Sequence, residues 1–183
     1  EITRYIGDVL ACVVAGTEEQ ARAAAAVIDI EYEVLPPLVA MTEAEVSQIR
    51  VHPDRPNLAG HCAIVRGGNA QAALESSAFV SRGVYETQRI EHAFLETECA
   101  IGEPWDEGGI RVFSQSQGVY EDRKQIAALL GLPESRVDIA LVPAGGGFGG
   151  KEDLTVQGHA ALAAWLLQRP VKVRLTRPES ITM

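Results

Sequence analysis

The segment PAGGGFGGKED, residues 143–153, concentrates the residue types of this chain that suit ligand binding. Five glycines fall within the six positions from Gly145 to Gly150, interrupted only by Phe148. A turn needs one or two glycines, and each surplus glycine costs about 0.5–1 kcal/mol of backbone entropy. So dense a run indicates backbone that passes very close to another object, with amide groups free to donate hydrogen bonds.

Two phosphate-binding motifs fit this segment in part. Its glycines match the dinucleotide pattern G-x-G-x-x-G, and residues 145–151 match the first seven positions of the P-loop. The P-loop then requires a serine or threonine hydroxyl for Mg²⁺, whereas this chain has Glu152 followed by Asp153. Both carboxylates repel phosphate. A plain strand-to-helix turn, with these carboxylates at a helix N-terminus, is the third interpretation. Spacing alone leaves the ligand open.

Regular elements on both sides must position this segment. The apolar run VDIALVP predicts a strand before it, while DLTVQGHAALAAWLLQ predicts a helix and VKVRLT a strand after it. Further upstream, FLETECAIGEPW and IRVFSQS contain two more predicted strands. QGVYEDRKQIAALLGL predicts a helix that is capped by Ser114 or Ser116 and ends just before Gly131. The pattern predicts a fold of mixed strands and helices.

The first half of the chain carries weaker patterns. VLACVVAG predicts a buried strand, and Thr17 with Gln20 forms a capping box that opens the helix EEQARAAAAVID. IEYEVL predicts a half-exposed strand, and a short helix is expected within residues 41–49. NAQAALESS predicts a helical turn capped by Asn69, and AFVSRGVYETQ predicts another strand.

Composition limits the classes of function. The chain has 183 residues, of which 46% are hydrophobic, so it can bury a core. Its net charge of −9 argues against nucleic acid as the main partner. Its apolar runs are too short to span a bilayer. Three widely spaced cysteines suit a reducing, cytoplasmic compartment: Cys12, Cys62 and Cys99. His52 and His61 lack the companion residues of a metal site, and His159 is interpreted as a packing residue.

Several residue groups together resemble the xanthine dehydrogenase / aldehyde oxidase family of molybdenum hydroxylases, in its large, molybdopterin-binding subunit. GGGFGGKE resembles the loop beside that family's molybdenum centre, and EHAFLETE resembles its E-H-[AF]-x-[LM]-E segment. FSQSQGVYEDRKQIAALLGLPESRVDI resembles its F-x-x-T/S-Q segment and the L-G-x-P helix end that follows. Residues 4–37 resemble its α/β hammerhead domain, and RPVKVRLTRPES fits its continuation. The groups also occur in the family's order.

The resemblance implies an α+β fold in three parts. Residues 1–35 are expected to be a partial α/β hammerhead domain, residues 36–68 a linker, and residues 69–183 the N-terminal part of a molybdopterin-binding domain. The family's catalytic base lies beyond Met183, so the resemblance implies a fragment that is inactive alone. A non-catalytic binding module is the alternative from another class.

The resemblance also assigns roles to residues of the loop. Gly146 and Gly147 match backbone that approaches the molybdenum–pterin cofactor, and Phe148 and Gly149 match positions that line the molybdenum site. No side chain is expected to ligate the metal. Glu152 matches a carboxylate that contacts purines, which favours hydroxylation of a purine or other N-heterocycle with water as the oxygen source. Aldehyde oxidation within the same family is the alternative.

One position departs from the family's pattern. The xanthine enzymes have glutamine directly before the E-H pair, close to a molybdenum ligand, where this chain has Ile90. The metal contact is therefore expected to differ, and Glu91 and His92 are expected to have structural roles. Iron–sulfur clusters and FAD are expected on other chains or regions, with a heterocycle or aldehyde as the small-molecule substrate. Exposed apolar surface predicts self-association of the fragment.

Overall fold

The structure, a computed structural model, describes residues 2–183 apart from the side chain of Glu107. It divides into two compact units, residues 2–29 with 90–183, and residues 30–89. The glycine-rich segment lies in the first unit. The domain boundaries expected at residues 35 and 68 stay predictions.

A mixed four-stranded sheet organises the first unit. It consists of β1 (Cys99–Trp105), β2 (Gly109–Ser114), β3 (Val137–Leu141) and β4 (Val171–Arg174), in the order β3-β2-β1-β4. β1 pairs antiparallel with β2 and β4, whereas β2 and β3 run parallel. A parallel pair needs a crossover connection, which α4 (Val119–Leu130) provides. β1, β3 and β4 lie within segments predicted from sequence, β2 begins one residue before its predicted segment, and the α+β class is confirmed.

Helices α4 and α5 (Val156–Leu167) pack on this sheet and enclose the core. Gly102 in β1 lets α5 approach, since a Cβ there would lie 2.5 Å from the carbonyl oxygen of Ala160. The core joins side chains of the strands and both helices, among them Ile110, Val112, Val137, Ile126, Val156, Ala160 and Val171.

The ends of these helices differ partly from the sequence predictions. Gly131 ends α4 in the left-handed conformation, with φ 67°, as predicted. The N-cap of α4 is Gly118 and not a serine, although the Ser116 hydroxyl accepts a hydrogen bond from its amide at 2.8 Å. α5 begins at Val156, later than predicted, with Thr155 as its N-cap. Short 3₁₀ turns at Asp106–Gly108 and Glu134–Arg136 precede β2 and β3.

The described residues before residue 30 add one helix and no strand to the first unit. α1 (Glu18–Ala25) is capped by Thr17, whose hydroxyl accepts from the Gln20 amide at 3.2 Å. The strand predicted at residues 9–16 is wrong. A strand requires a neighbour for its backbone, and no described residue pairs with this segment. α6 (Arg177–Thr182) was not predicted; a reciprocal capping box at its start stabilises it.

The second unit contains two short helices and no buried side chain among its described residues. α2 (Met41–Val46) lies inside the predicted range, and α3 (Ala70–Ser76) is capped by the Asn69 side chain, as predicted. The strands predicted at residues 30–35 and 78–88 are wrong, because no described segment pairs with them. None of the described helices is both long enough and apolar enough to cross a membrane.

Candidate functional site

The glycine-rich segment connects β3 to α5 and is held at its two ends by the last residue of β2 and by Gln117, which follows β2. At its start, the amide of Val142 donates to the Ser114 carbonyl at 2.9 Å. At its end, the carbonyl of Lys151 accepts from the Gln117 amide at 2.8 Å. We call the segment between these two hydrogen bonds the glycine loop (residues 143–151). It leaves the edge of the sheet after β3, and both of its ends are bonded to residues 114–117.

Phe148 has a backbone conformation that is unusual for a residue with a side chain. Its φ is 52°, in the left-handed region, between Gly146 at 109° and Gly149 at 90°. Such a residue costs on the order of 1 kcal/mol or more and persists only where its surroundings enforce it. The residue is 73% exposed, and its ring lies over Gly146, where a Cβ would be 2.8 Å from Phe148 Cε2. The aromatic ring therefore stands at the outer surface of the loop.

Gln117 lies on the inner side of the glycine loop. Its side-chain oxygen accepts hydrogen bonds from the amides of Gly149 at 3.1 Å and Lys151 at 3.3 Å. Gly147, which is buried, faces the same side chain, and a Cβ there would lie 2.4 Å from Gln117 Oε1. The absence of side chains in the loop thus makes room for Gln117.

The other amides of residues 145–150 fall into two groups. Gly145 donates to a carboxylate oxygen of Glu96, and Gly150 donates to the carbonyl of Gly147 at 2.7 Å. The three consecutive amides of residues 146–148 donate to no atom in the described part of the chain. The loop therefore has three adjacent backbone amides without a partner in the described chain, one of them in the buried Gly147, and a run of this kind is suited to bind a ligand.

The last residue of the glycine loop is a buried lysine. Lys151 is 4% exposed, and its ammonium lies 4.3 Å from the centroid of the Phe94 ring, a cation–π contact. Its Nζ has no hydrogen-bond acceptor within the described chain. Burial lowers the pKa of Lys151, while the carboxylates of Glu96 and Glu98 raise it. The ammonium is thus held by its ring contact and by nearby negative charge.

A buried polar network lies beneath Gln117. The carboxylate of Asp122 is fully buried in α4 and accepts from Gln157 Nε2 at 3.4 Å. Burial raises the pKa of Asp122, while hydrogen bonds from Ser116, Ser114 and Gln157 oppose that rise. Ser116 Oγ also lies 3.5 Å from the Lys151 carbonyl oxygen, so its single proton can be donated either to Asp122 or to that carbonyl. The network therefore connects the first turn of α4 to the end of the loop.

The segment EHAFLETE lies directly beside the glycine loop. The amide of Leu95 donates to the Gly145 carbonyl at 3.4 Å, and Arg177 donates to the carbonyls of Phe94 and Leu95. A Cβ at Gly150 would lie 2.9 Å from the His92 ring. The fold thus brings together two sequence motifs that are separated by about fifty residues along the chain.

Most of the other residues considered in the sequence analysis are exposed. Glu152 and Asp153 precede the N-cap of α5 and lie outside the helix. Glu91 and Ile90 are also exposed. His159 is half-buried in α5, where its Nδ1 lies 3.1 Å from the Thr155 carbonyl oxygen. Among residues 2–183 no three side chains of histidine, cysteine, aspartate or glutamate form a group that could hold a metal ion.

Sequence reasoning missed three residues of this site. Asp122 precedes Ile126 by one helical turn, so its position on the buried face of α4 was available as a signal. Gln117 belongs to the F-x-x-T/S-Q segment already noted. The burial of Lys151 had no signal in the sequence, because lysine is almost never fully buried.

Comparison with known proteins identifies relatives for most of the chain. Residues 51–183 match the family described as molybdopterin cofactor-binding domain. A probable xanthine dehydrogenase subunit of Bacillus subtilis (strain 168) is 38% identical over 97% of this chain and 24% of its own length. The nicotinate dehydrogenase large molybdopterin subunit of Eubacterium barkeri is 35% identical over the whole chain and 43% of its own length.

A solved structure agrees with the fold. The aldehyde oxidoreductase of Desulfovibrio gigas superposes with a TM-score of 0.86 at 29% identity, over 91% of this chain and 18% of that protein. The chain thus spans less than half the length of each of these three relatives.

Proposed function

Because this chain belongs to the molybdopterin cofactor-binding domain family, we propose that its glycine loop binds the molybdenum–pterin cofactor of a molybdenum hydroxylase. The observation that carries the proposal is the run of three unpaired backbone amides at residues 146–148 in the described chain. The cofactor presents acceptor atoms, and oriented backbone amides are suited to partially negative groups of that kind. When bound, the cofactor supplies the redox chemistry, and the protein supplies position and electrostatics.

The residues of the loop fit such a ligand. Gly146, Gly147 and Phe148 are proposed to donate backbone hydrogen bonds to it, and Gly149 to line the site without a donor of its own, since its amide bonds Gln117. Side chains at Gly146 or Gly147 would collide with Phe148 or Gln117. The exposed ring of Phe148 is proposed as a wall near the molybdenum. No side chain of this chain is proposed to ligate the metal.

The proposed reaction is oxidative hydroxylation of a purine or other N-heterocycle, with water as the oxygen source. The exposed carboxylate of Glu152 directly follows the loop and is suited to accept a hydrogen bond from a ring N–H. Two relatives bear the names xanthine dehydrogenase and nicotinate dehydrogenase, which favours a heterocycle. The name of the Desulfovibrio gigas relative supports aldehyde oxidation as the second candidate.

Other parts of the reaction are proposed to lie elsewhere. We propose that the catalytic base is outside residues 2–183, and that iron–sulfur clusters and FAD on other regions or chains receive the electrons. A cytoplasmic location and a partial hammerhead domain in residues 1–35 stay predictions. Self-association of the chain through its exposed apolar side chains is also proposed. An elution volume in size-exclusion chromatography that is independent of concentration contradicts it.

The proposal is tested first by measuring molybdenum and pterin in the native full-length protein, purified with its accompanying chains. We expect one molybdenum atom per polypeptide. A Gly147→Val variant should lose the metal, because a side chain there meets Gln117, whereas Gly60→Val, in open space, should retain it. Absence of molybdenum in protein from cells that load other molybdoenzymes favours the non-catalytic binding module.

The substrate class is tested by turnover of purines and aldehydes in parallel. In Glu152→Ala we expect kcat/KM for purines to fall roughly tenfold to a hundredfold, as for loss of a hydrogen bond to a charged group. Turnover of aldehydes should not change. Glu152→Gln keeps an acceptor and should lose less. Equal losses for both substrate classes contradict a contact specific to heterocycles.

A further inference from the structure

Gln117 does more than lie beside the glycine loop, because its side chain bonds two amides of the loop. Its side chain receives two amide donors, so the atom that faces Gly149 and Lys151 must be the oxygen, since the NH₂ group cannot accept. Both contacts cross a sequence separation of more than thirty residues. The side chain therefore holds the second half of the loop against the start of α4.

The backbone of Gln117 is fixed independently of its side chain. Its amide donates to the Lys151 carbonyl at 2.8 Å. Before it, the Ser116 amide donates to Ser114 Oγ at 3.1 Å, and after it the Gly118 amide donates to Ser116 Oγ at 2.8 Å. The side chain thus extends from a rigid base, which is what a positioning group requires.

The contact to Gly149 directly follows the strained residue of the loop. Phe148 has φ 52°, a backbone conformation that is energetically unfavourable for a residue with a side chain. With the next amide bound to Gln117, the peptide that joins Phe148 to Gly149 has a fixed orientation. The same two bonds remove the amides of Gly149 and Lys151 from the set that a ligand can reach, and leave those of residues 146–148.

We propose that Gln117 is the positioning residue of the cofactor loop: it selects the loop conformation in which residues 146–148 present their amides and Phe148 its ring. The positioning of the loop by Gln117 rests on the hydrogen bonds alone. Its consequence, that the positioned loop binds a cofactor, rests on the proposed function. A glutamate at position 117 retains the acceptor, whereas a methionine retains the approximate size and removes it.

The test uses the full-length protein and measures hydrogen exchange by mass spectrometry with residue resolution. In Gln117→Met we expect the amides of Gly149 and Lys151 to exchange roughly threefold to tenfold faster, as expected for loss of single hydrogen bonds. Amides of α4 should be unchanged. Gln117→Glu should restore protection. Gln115→Met removes a neighbouring side chain that donates to the Pro143 carbonyl and bonds no loop amide, so it should leave the exchange of the Gly149 and Lys151 amides unchanged.

Two results overturn the proposal. One is unchanged exchange at Gly149 and Lys151 in Gln117→Met, and the other is equal acceleration throughout α4, which indicates general destabilisation. In the molybdenum-loaded enzyme, Gln117→Met should also alter the Mo(V) electron paramagnetic resonance signal, with rescue by Gln117→Glu. A wild-type protein without molybdenum refutes the proposed function but leaves the exchange result decisive for Gln117.

Discussion

Residues 94–183 bury many of their apolar side chains, whereas residues 30–89 bury none among the described residues. In the first region Ile110, Val112 and Ile126 are fully buried between the sheet and two helices. In the second region Phe79 and Val84 are more than nine-tenths exposed, and no described side chain is buried. The two regions show that apolar content does not by itself form a core. Paired strands are needed to bring apolar side chains together from distant parts of the chain.

The largest expected difference between the regions is the cost of truncating an isoleucine. Ile126→Ala should lower the free energy of unfolding by about 2–5 kcal/mol, because it leaves a cavity in the core. Ile64→Ala, at a position that is 81% exposed, should change it by less than about 0.5 kcal/mol. Urea unfolding followed by circular dichroism measures both. Similar losses in the two variants contradict the contrast.

A smaller difference is expected for glycines. Gly102→Val places a side chain against the backbone of α5 and should cost about 1–3 kcal/mol through overpacking. Gly60→Val, with no atom within 4 Å of its Cβ, is the matched control and should be tolerated. Thermal unfolding of the two variants compares them. If Gly102→Val is as stable as the control, α5 does not pack closely on β1.

The buried carboxylate of the first region should make stability depend on pH. Burial raises the pKa of Asp122 above its ordinary value of 3.8, so the folded chain retains this proton to higher pH than the unfolded chain. Its contribution to stability therefore falls as pH rises from the ordinary value through the raised one. Asp122→Asn removes that dependence, and the difference between variant and wild type should shift in favour of the variant with rising pH. Urea midpoints between about pH 4 and about pH 7 test the direction.

The smallest effect is expected where α1 contacts the rest of the first unit through ion pairs. Arg22 bonds Glu18 and Glu179 at 3.0 Å, with all three side chains about half exposed. Arg22→Ala should cost at most about 1 kcal/mol, and less at high salt. Arg4→Ala, at a cation outside this cluster, is the control. A loss comparable to that of Ile126→Ala would mean that α1 is part of the core.

The sequence predicted the parts of the fold whose partners are themselves regular elements. α4 and α5 were predicted because their apolar patterns continue to a clear break, at Gly131 for α4 and at Pro170 for α5. Segments 9–16 and 30–35 have similar patterns but no strand beside them in the described chain, and a single sequence does not encode which neighbour a strand obtains.

The candidate site, like the fold, could be predicted only in part from the sequence. The glycines of the loop are unusual enough to be recognised, as is the neighbouring EHAFLETE segment. The role of Gln117 depends on the loop folding back over the start of α4, which no local pattern expresses. The burial of Lys151 likewise depends on the position of the Phe94 ring.

The internal hydrogen bonds of the glycine loop have a consequence for binding affinity. Five glycines would ordinarily make a loop that loses much conformational freedom when a ligand orders it. Here the amides of Gly145, Gly149, Gly150 and Lys151 are already bonded within the chain. Much of that entropy loss has therefore occurred during folding, and a ligand that meets the amides of residues 146–148 gains more of its contact energy as net affinity.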